Sequence, residues 1–382
     1  NGTVVEDGGT LEFANNTNLN QDEDLSIGGS GVSGKAALWS ESGDNEIDSD
    51  ITMTGNASIG AEAGSELRVD AGLAGAFDIT ITGDGTTVWA SNQMTYTGDT
   101  IVESGTLLYE DNGNRIPDAS DLVIQGGGTL DMNQSGYDDT VGSLAGSGTL
   151  DTAGATMTAG ANDVDTTWGG NITGGGDFTK EGSGTMTFTG SNTMTGLMTV
   201  EDGAIKLGTN NAFDDAMDLT LDGGSLMTEG FADTMDQFTL QSGSAIDFTG
   251  TVGGELTFSD MIRNAGVLSI DNWIGNVAGN GDNQLIVEAS SLSGFGAFNA
   301  STETDLNNIE FVGWGLGADM VDLGGGFYEI VPSLEPFLSW DEGGTDTRWR
   351  QGNDVAWVND IAPQNNDLDQ KIRFGDDAPN TA

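Results

Sequence analysis

The sequence predicts an all-β protein, a solenoid of short parallel strands, and three observations carry that prediction. Related stretches begin at Thr3 (TVVEDGGTLEF), Thr100 (TIVESGTLLYE) and Thr199 (TVEDGAIKLGT), a spacing of about one hundred residues. Apolar residues alternate with Thr, Asp or Ser in short runs bounded by Gly and Asn/Asp, as in Leu122/Ile124, Met186/Phe188 and Leu219/Leu221. No segment keeps a helical period over three turns, and the nearest, Ile116–Leu122 and Ala212–Met217, read as loops or single turns.

A strand with one apolar face cannot bury that face alone. Stacking successive coils buries a continuous inner column, which favours a parallel β-helix. Roughly ten coils at about 4.8 Å each make a rod on the order of 50 Å. A set of sandwiches needs hairpins, and dipeptides that favour them, such as Asn112-Gly113, are few.

The elements follow in chain order. A partial unit occupies 1–30, and the best-matched units run over 83–151 and 182–247 within a solenoid spanning 1–250. Gly83/Gly182, Gly85/Gly184, Thr97/Thr195, Gly98/Gly196, Glu103/Glu201, Gly105/Gly203, Asp121/Asp218 and Gly126/Gly223 fall into register. The units close on Asp139-Thr140-Val141 and Asp233-Thr234-Met235. Spacing is least regular over 251–335, an irregular β closing region, and 336–382 reads as a cap-like or connecting segment.

Composition excludes several functions. The chain has 61 Asp+Glu against 10 Lys+Arg, a formal net charge of -51, so nucleic acid and anionic membranes are repelled. With no Cys, neither disulfides nor thiolate metal sites are possible; with no His, the usual general base and every Ser-His pairing are missing. No apolar run approaches the roughly twenty residues of a membrane helix, so no membrane insertion is expected. The chain opens on Asn1 without a leader pattern and reads as a mature or internal fragment.

Candidate sites are few. Asp44, Glu46, Asp48 and Asp50 alternate, which places four carboxylates on one strand face. Such a face could collect Ca²⁺, but the reading preferred is a solvated strand face relieved by salt, so no cofactor is expected beyond that candidate ion. Asp138-Asp139, Asp214-Asp215 and Asp376-Asp377 fall where turns are expected. Polysaccharide cleavage would want basic residues beside the acids, and Lys35, Lys180, Lys206 and Lys371 are scattered, so an enzyme is not expected. Trp89 occupies the place of Phe188 in the other unit, which argues for core packing. Trp340, Trp349 and Trp357 read as a cap core, and Arg348, Arg350 and Arg373 form the one basic cluster in sequence.

The pattern GSGTLTLTGxNTYTGxTTVxxGTLxLG is matched closely by Gly182–Gly208 and loosely by Gly83–Tyr109, and its continuation by Asn211–Leu226 and Gly136–Val141. Residues 1–250 thereby resemble the autotransporter-associated β-strand repeat family. The resemblance implies an exported, extracellular or cell-surface bacterial protein whose repeats form a right-handed β-helical stalk. Residues 251–334 are similar to closing segments that precede a sorting anchor in bacterial repeat proteins, although no anchor helix or basic tail follows Pro332. The stretch 348–375 looks like an opening cap of the same family, so the chain reads as beginning inside a repeat and ending after a new cap.

That order leads to an expectation of self-association. Residues 336–382, through Trp340, Arg348, Trp349, Arg350, Trp357 and Phe374, would pack on the first coil of a following copy, or fold back on their own module. The resulting reading is a stalk, fibre or surface layer. The rival reading is an adhesin that binds glycans or surfaces through loops, with 251–334 as the expected place.

Overall fold

The computed structural model describes residues 2–20, 23–91, 93–110, 115–133, 136–250, 253–288, 306 and 308–333, with the backbone alone of 292–293, 337–340 and 347–350. Its described elements are all strands, stacked as a β-solenoid of about 12 turns.

Each rung consumes about twenty residues and pairs in parallel with the next: Phe178 lies against Met198, and Met198 against Leu219. In the second unit a rung has two strands joined by a glycine turn, as in Leu197–Val200 and Ala204–Leu207. The alternation seen in the sequence now has a physical meaning. Met157, Phe178, Met198, Leu219, Phe238 and Met261 stack into one inner column. Met186, Ile205, Leu226, Ile246, Ile270 and Phe311 make a second column from the facing sheet. All twelve are buried, and each large side chain removed from water contributes about 1.5–3 kcal/mol.

The outward positions between them are threonine on six consecutive rungs: Thr140, Thr158, Thr179, Thr199, Thr220 and Thr239. A β-branched residue suits that half-exposed pleated surface, and threonine keeps it wettable. Outward aspartates also set the register. The carboxylates of Asp138, Asp177 and Asp218 each accept the backbone N–H of Thr156, Leu197 and Gln237 on the following rung.

The glycines that align between units sit where a side chain cannot. Gly105 and Gly203 have φ of +71° and +61°, and a Cβ on either would strike the carbonyl oxygens of Gly83 and Gly85, or of Gly182 and Gly184. The sequence repeat is therefore a record of backbone stacking on backbone.

Aromatic rings also fill the interior. Trp89, Trp168 and Phe188 are fully buried. Phe188 lies 4.9 Å from Phe213, and Trp89 meets Tyr96 edge-on at 6.2 Å.

Parallel stacking continues through Gln284–Glu288 and Ile309–Phe311. Beyond them the direction reverses. Phe327–Pro332 runs antiparallel to both Gln284–Glu288 and Ala318–Gly324, and Gly315–Leu316 folds back on Ile309–Phe311. Phe337–Trp340 and Thr347–Arg350 pair with each other in a separate antiparallel ribbon.

Candidate functional site

Strand alternation decides which of the acidic residues meet. In Asp44–Ile47, Asn45 and Ile47 point inward, leaving Glu46 outside with Asp48. Parallel register sets Glu46 beside Arg68 of the next rung, and Asp70 lies two residues further along that strand. One carboxylate oxygen from each of Glu46, Asp48 and Asp70 lies within 4.8 Å of the other two. Asp44 and Asp50 stand outside this cluster: Asp44 is opposite Glu66, and Asp50 accepts the N–H of Gly72 at 3.0 Å.

Arg68 supplies the charge this cluster needs. Its Nε donates to Asp70 at 3.0 Å and lies 3.8 Å from Glu46, while a terminal nitrogen contacts Glu110 two rungs on. Burial opposes the guanidinium's charge, but Asp70 and Glu110 outweigh it and raise Arg68 above its ordinary value. The hydrogen bond shared with Asp70 pushes Glu46 up. Burial would raise Asp70 too, yet Glu46 and Arg68 together hold it below the usual carboxylate range. Ca²⁺ takes roughly six to eight oxygens; here three carboxylates share one guanidinium. The arrangement is a clasp across rungs. Sequence spacing alone did not show Asp70 or Arg68, because both belong to the next coil.

The structure corrects the reading of Asp138-Asp139 as a turn pair. Asp139 opens the strand Asp139–Val141 and is buried above Met157 in the inner column. Its carboxylate accepts the Tyr109 hydroxyl and the backbone N–H groups of Arg115, Ile116 and Thr140. Burial pushes it up to about 7, against the pull of those donors. Asp233, at the matching place in the second unit, accepts the N–H groups of Ala212 and Phe213 at 2.9 and 3.2 Å. Burial raises it to about 7 as well, and its Oδ1 has no hydrogen-bond partner. Each Asp pins a loop of the preceding rung. The shared Asp-Thr dipeptide closing both units was the signal available in sequence.

Lys180 is another buried ionisable residue, as Arg115 and Glu329 also are. It stands in a core column between Ala159 and Val200 and is only 2% exposed. Its Nζ donates to the carbonyls of Glu181 at 2.6 Å and Gly182 at 2.7 Å, and burial lowers its pKa. The side chains of Asp139, Asp233 and Lys180 all bind backbone groups of turns and loops.

At the end where parallel stacking stops, Trp273 packs edge-on against Phe311 at 5.2 Å and Trp314 at 6.0 Å. Ile274, Val312, Trp314 and Leu316 are exposed there. Of the residues expected to carry self-assembly, Trp340, Arg348, Trp349 and Arg350 fall on the separate ribbon, with Trp340 opposite Thr347 and Trp349 opposite Leu338. Trp357, Arg373 and Phe374 lie outside the described residues. No helix among the described residues is long and apolar enough to cross a membrane.

Comparison with known proteins agrees with this geometry. The family model of the passenger-associated transport repeat matches residues 79–108 and 178–207. Both matches begin on an inward-facing residue of the core, Ile79 and Phe178, and carry the glycine turns of Gly83/Gly85 and Gly182/Gly184. No curated protein and no solved structure matches the chain. The chain is thus a β-solenoid with two stretches that match the passenger-associated transport repeat, in keeping with the autotransporter-associated strand repeats its sequence resembles.

Proposed function

We propose that the chain is a non-enzymatic structural rod of an exported, extracellular surface protein, extended end to end into a stalk or fibre. The observation that carries this reading is the unbroken parallel stack closing on an exposed apolar patch. Val312, Trp314 and Leu316 stand in the open at Gly315–Leu316, a strand that among the described residues pairs only with Ile309–Phe311. An exposed apolar edge of this kind invites another strand. At the other end Thr3–Val5 and Leu11–Ala14 also pair on one side among the described residues. That edge can be continued by preceding polypeptide or by another copy, and a head-to-tail contact makes filaments.

The non-enzymatic reading rests on the lack of His and Cys and on the buried carboxylates being engaged with backbone. The repeat match supports export. The test is sedimentation and negative-stain microscopy of residues 1–382 beside Trp314→Asp. The expected result is rods that lengthen in multiples as concentration rises, shortened to single units by the substitution. Monodisperse single rods at every concentration would overturn the assembly reading.

A further inference from the structure

A hollow crosses the outer face of the first half of the rod. It has a volume of about 390 Å³, and its lining includes Ser30, Asn56, Thr80, Ile101, Glu103 and Gln125. Gly29, Ser30 and Asn56 also line a second hollow of about 590 Å³ that reaches Glu6 and Asp7. The two therefore adjoin and form one groove.

Register explains its floor. Ser58, Thr80 and Ile101 stack as one outward column on successive rungs, and Val123 continues it. Thr82, Glu103 and Gln125 stand two residues further along three of these strands. One wall is the loop after Gly29, held down where Ser58 Oγ accepts the N–H of Ala37 at 3.0 Å. Lys35, on that wall, is taken up by Glu12 and Glu41. From Glu6 on the first rung to Gln125 on the sixth the groove spans on the order of 25 Å, at one rung per about 4.8 Å.

The polar groups facing this groove are of two kinds. Asn56 is paired with Asp78, Thr54 with the carbonyl of Ile27 and Thr82 with Ser104. Ser30, Thr80, Glu103 and Gln125 have no side-chain hydrogen bond among the described residues. They present hydroxyl, carboxylate and amide groups at rung spacing, beside an apolar strip at Ile101.

We infer that this groove binds a linear, neutral, hydroxyl-rich polysaccharide. Vicinal sugar hydroxyls suit the Glu103 carboxylate and the Gln125 amide, and the C–H face of the ring suits Ile101. A rung spacing close to the length of one hexose lets successive sugars meet successive rungs, each with its own side chain. Charge selects against acidic polymers, since Glu103, Glu6 and Asp7 stand in the groove and the chain carries a net charge of -51. This site lies on the sheet, away from the loops of 251–334, and does not depend on end-to-end assembly.

The test is native affinity electrophoresis of residues 1–382 in gels containing hydroxyethyl cellulose, dextran or xylan, with alginate as the acidic control. We expect retardation in at least one neutral gel and none in alginate. Glu103→Ala and Gln125→Ala should each weaken it about tenfold. Thr80→Trp should abolish it by filling the floor while the far-UV spectrum stays unchanged; a changed spectrum leaves the two alanine variants to decide. Lack of retardation in all three neutral gels, retardation by alginate, or unaltered binding in both alanine variants would overturn the assignment. Trp314→Asp should leave the retardation unchanged, which separates this result from the assembly reading.

Discussion

Asp233 shows how a single side chain ties the stability of this rod to pH. Its carboxylate is buried, holds two backbone N–H groups through Oδ2, and leaves Oδ1 unpartnered. Burial penalises the charged form, so the pKa rises from 3.8 to about 7 in the folded chain. The fold therefore binds the proton more tightly than the unfolded chain does. This stabilisation is complete below the unfolded value and is lost as pH climbs through the folded one. For Asp233 the loss is at most about 4 kcal/mol between roughly pH 4 and 7, and Asp139 acts in the same direction. Asn at position 233 keeps the accepting oxygen and carries no charge. We expect Asp233→Asn to raise the melting temperature at pH 8 by a few degrees and to flatten its dependence on pH, as read by circular dichroism. A variant that melts lower at pH 8 and keeps the parental pH slope would contradict this account.

At the scale of the element, the glycine turn between the two strands of a rung is an unforgiving position. Gly203 combines φ of +61° with the carbonyls of Gly182 and Gly184 behind it, whereas Gly243 has an ordinary φ and an added Cβ there would meet only the Val267 carbonyl, at 3.9 Å. Gly203→Ala should cost about 2 kcal/mol or more in urea unfolding, because strain and collision act together. Gly243→Ala should be neutral, or stabilising by up to about 1 kcal/mol, by narrowing the unfolded ensemble. Equal costs at the two positions would refute the stacking explanation. These turns were legible in the sequence, since backbone contact on backbone demands glycine on rung after rung and so leaves Gly105 and Gly203 in register. The inward columns were legible for the same reason, through their period of two. What spacing could not show were contacts between rungs. The distance in sequence from one rung to the next varies, so the partnership of Glu46 with Asp70 and Arg68 needs the register itself. Asp139 looked like a turn residue beside Asp138. Its burial depends on the backbone of Arg115 and Ile116, well upstream. The groove was hidden too, because it is assembled from single outward residues on six different rungs.

Over most of the described residues the molecule is a one-dimensional stack with a strongly acidic exterior. Each rung meets only its neighbours, so stability accumulates rung by rung through the two inner columns. Repulsion accumulates in the same way, since parallel register brings outward carboxylates of successive rungs alongside one another. Asp44 lies opposite Glu66 and Asp247 opposite Asp271, while cations such as Arg68 and Lys206 are few. With a net charge of -51, the compact state confines charge that the unfolded chain can spread apart. Salt screens exposed charges over about 10 Å at 0.1 M and about 3 Å at 1 M, which is shorter than the span of a single rung. The Arg68 clasp loses part of its attraction under the same screening, but it is one cation among many unpaired acids, so relief of repulsion is the larger effect. The melting temperature at pH 8 should therefore rise steadily with sodium chloride between about 0.01 M and 1 M. The pH dependence of stability should also become shallower at the high-salt end, where neighbouring carboxylates no longer feel one another. A melting temperature that falls with salt over that range would mean that attractive pairs such as Arg68–Asp70 outweigh the acidic ladders.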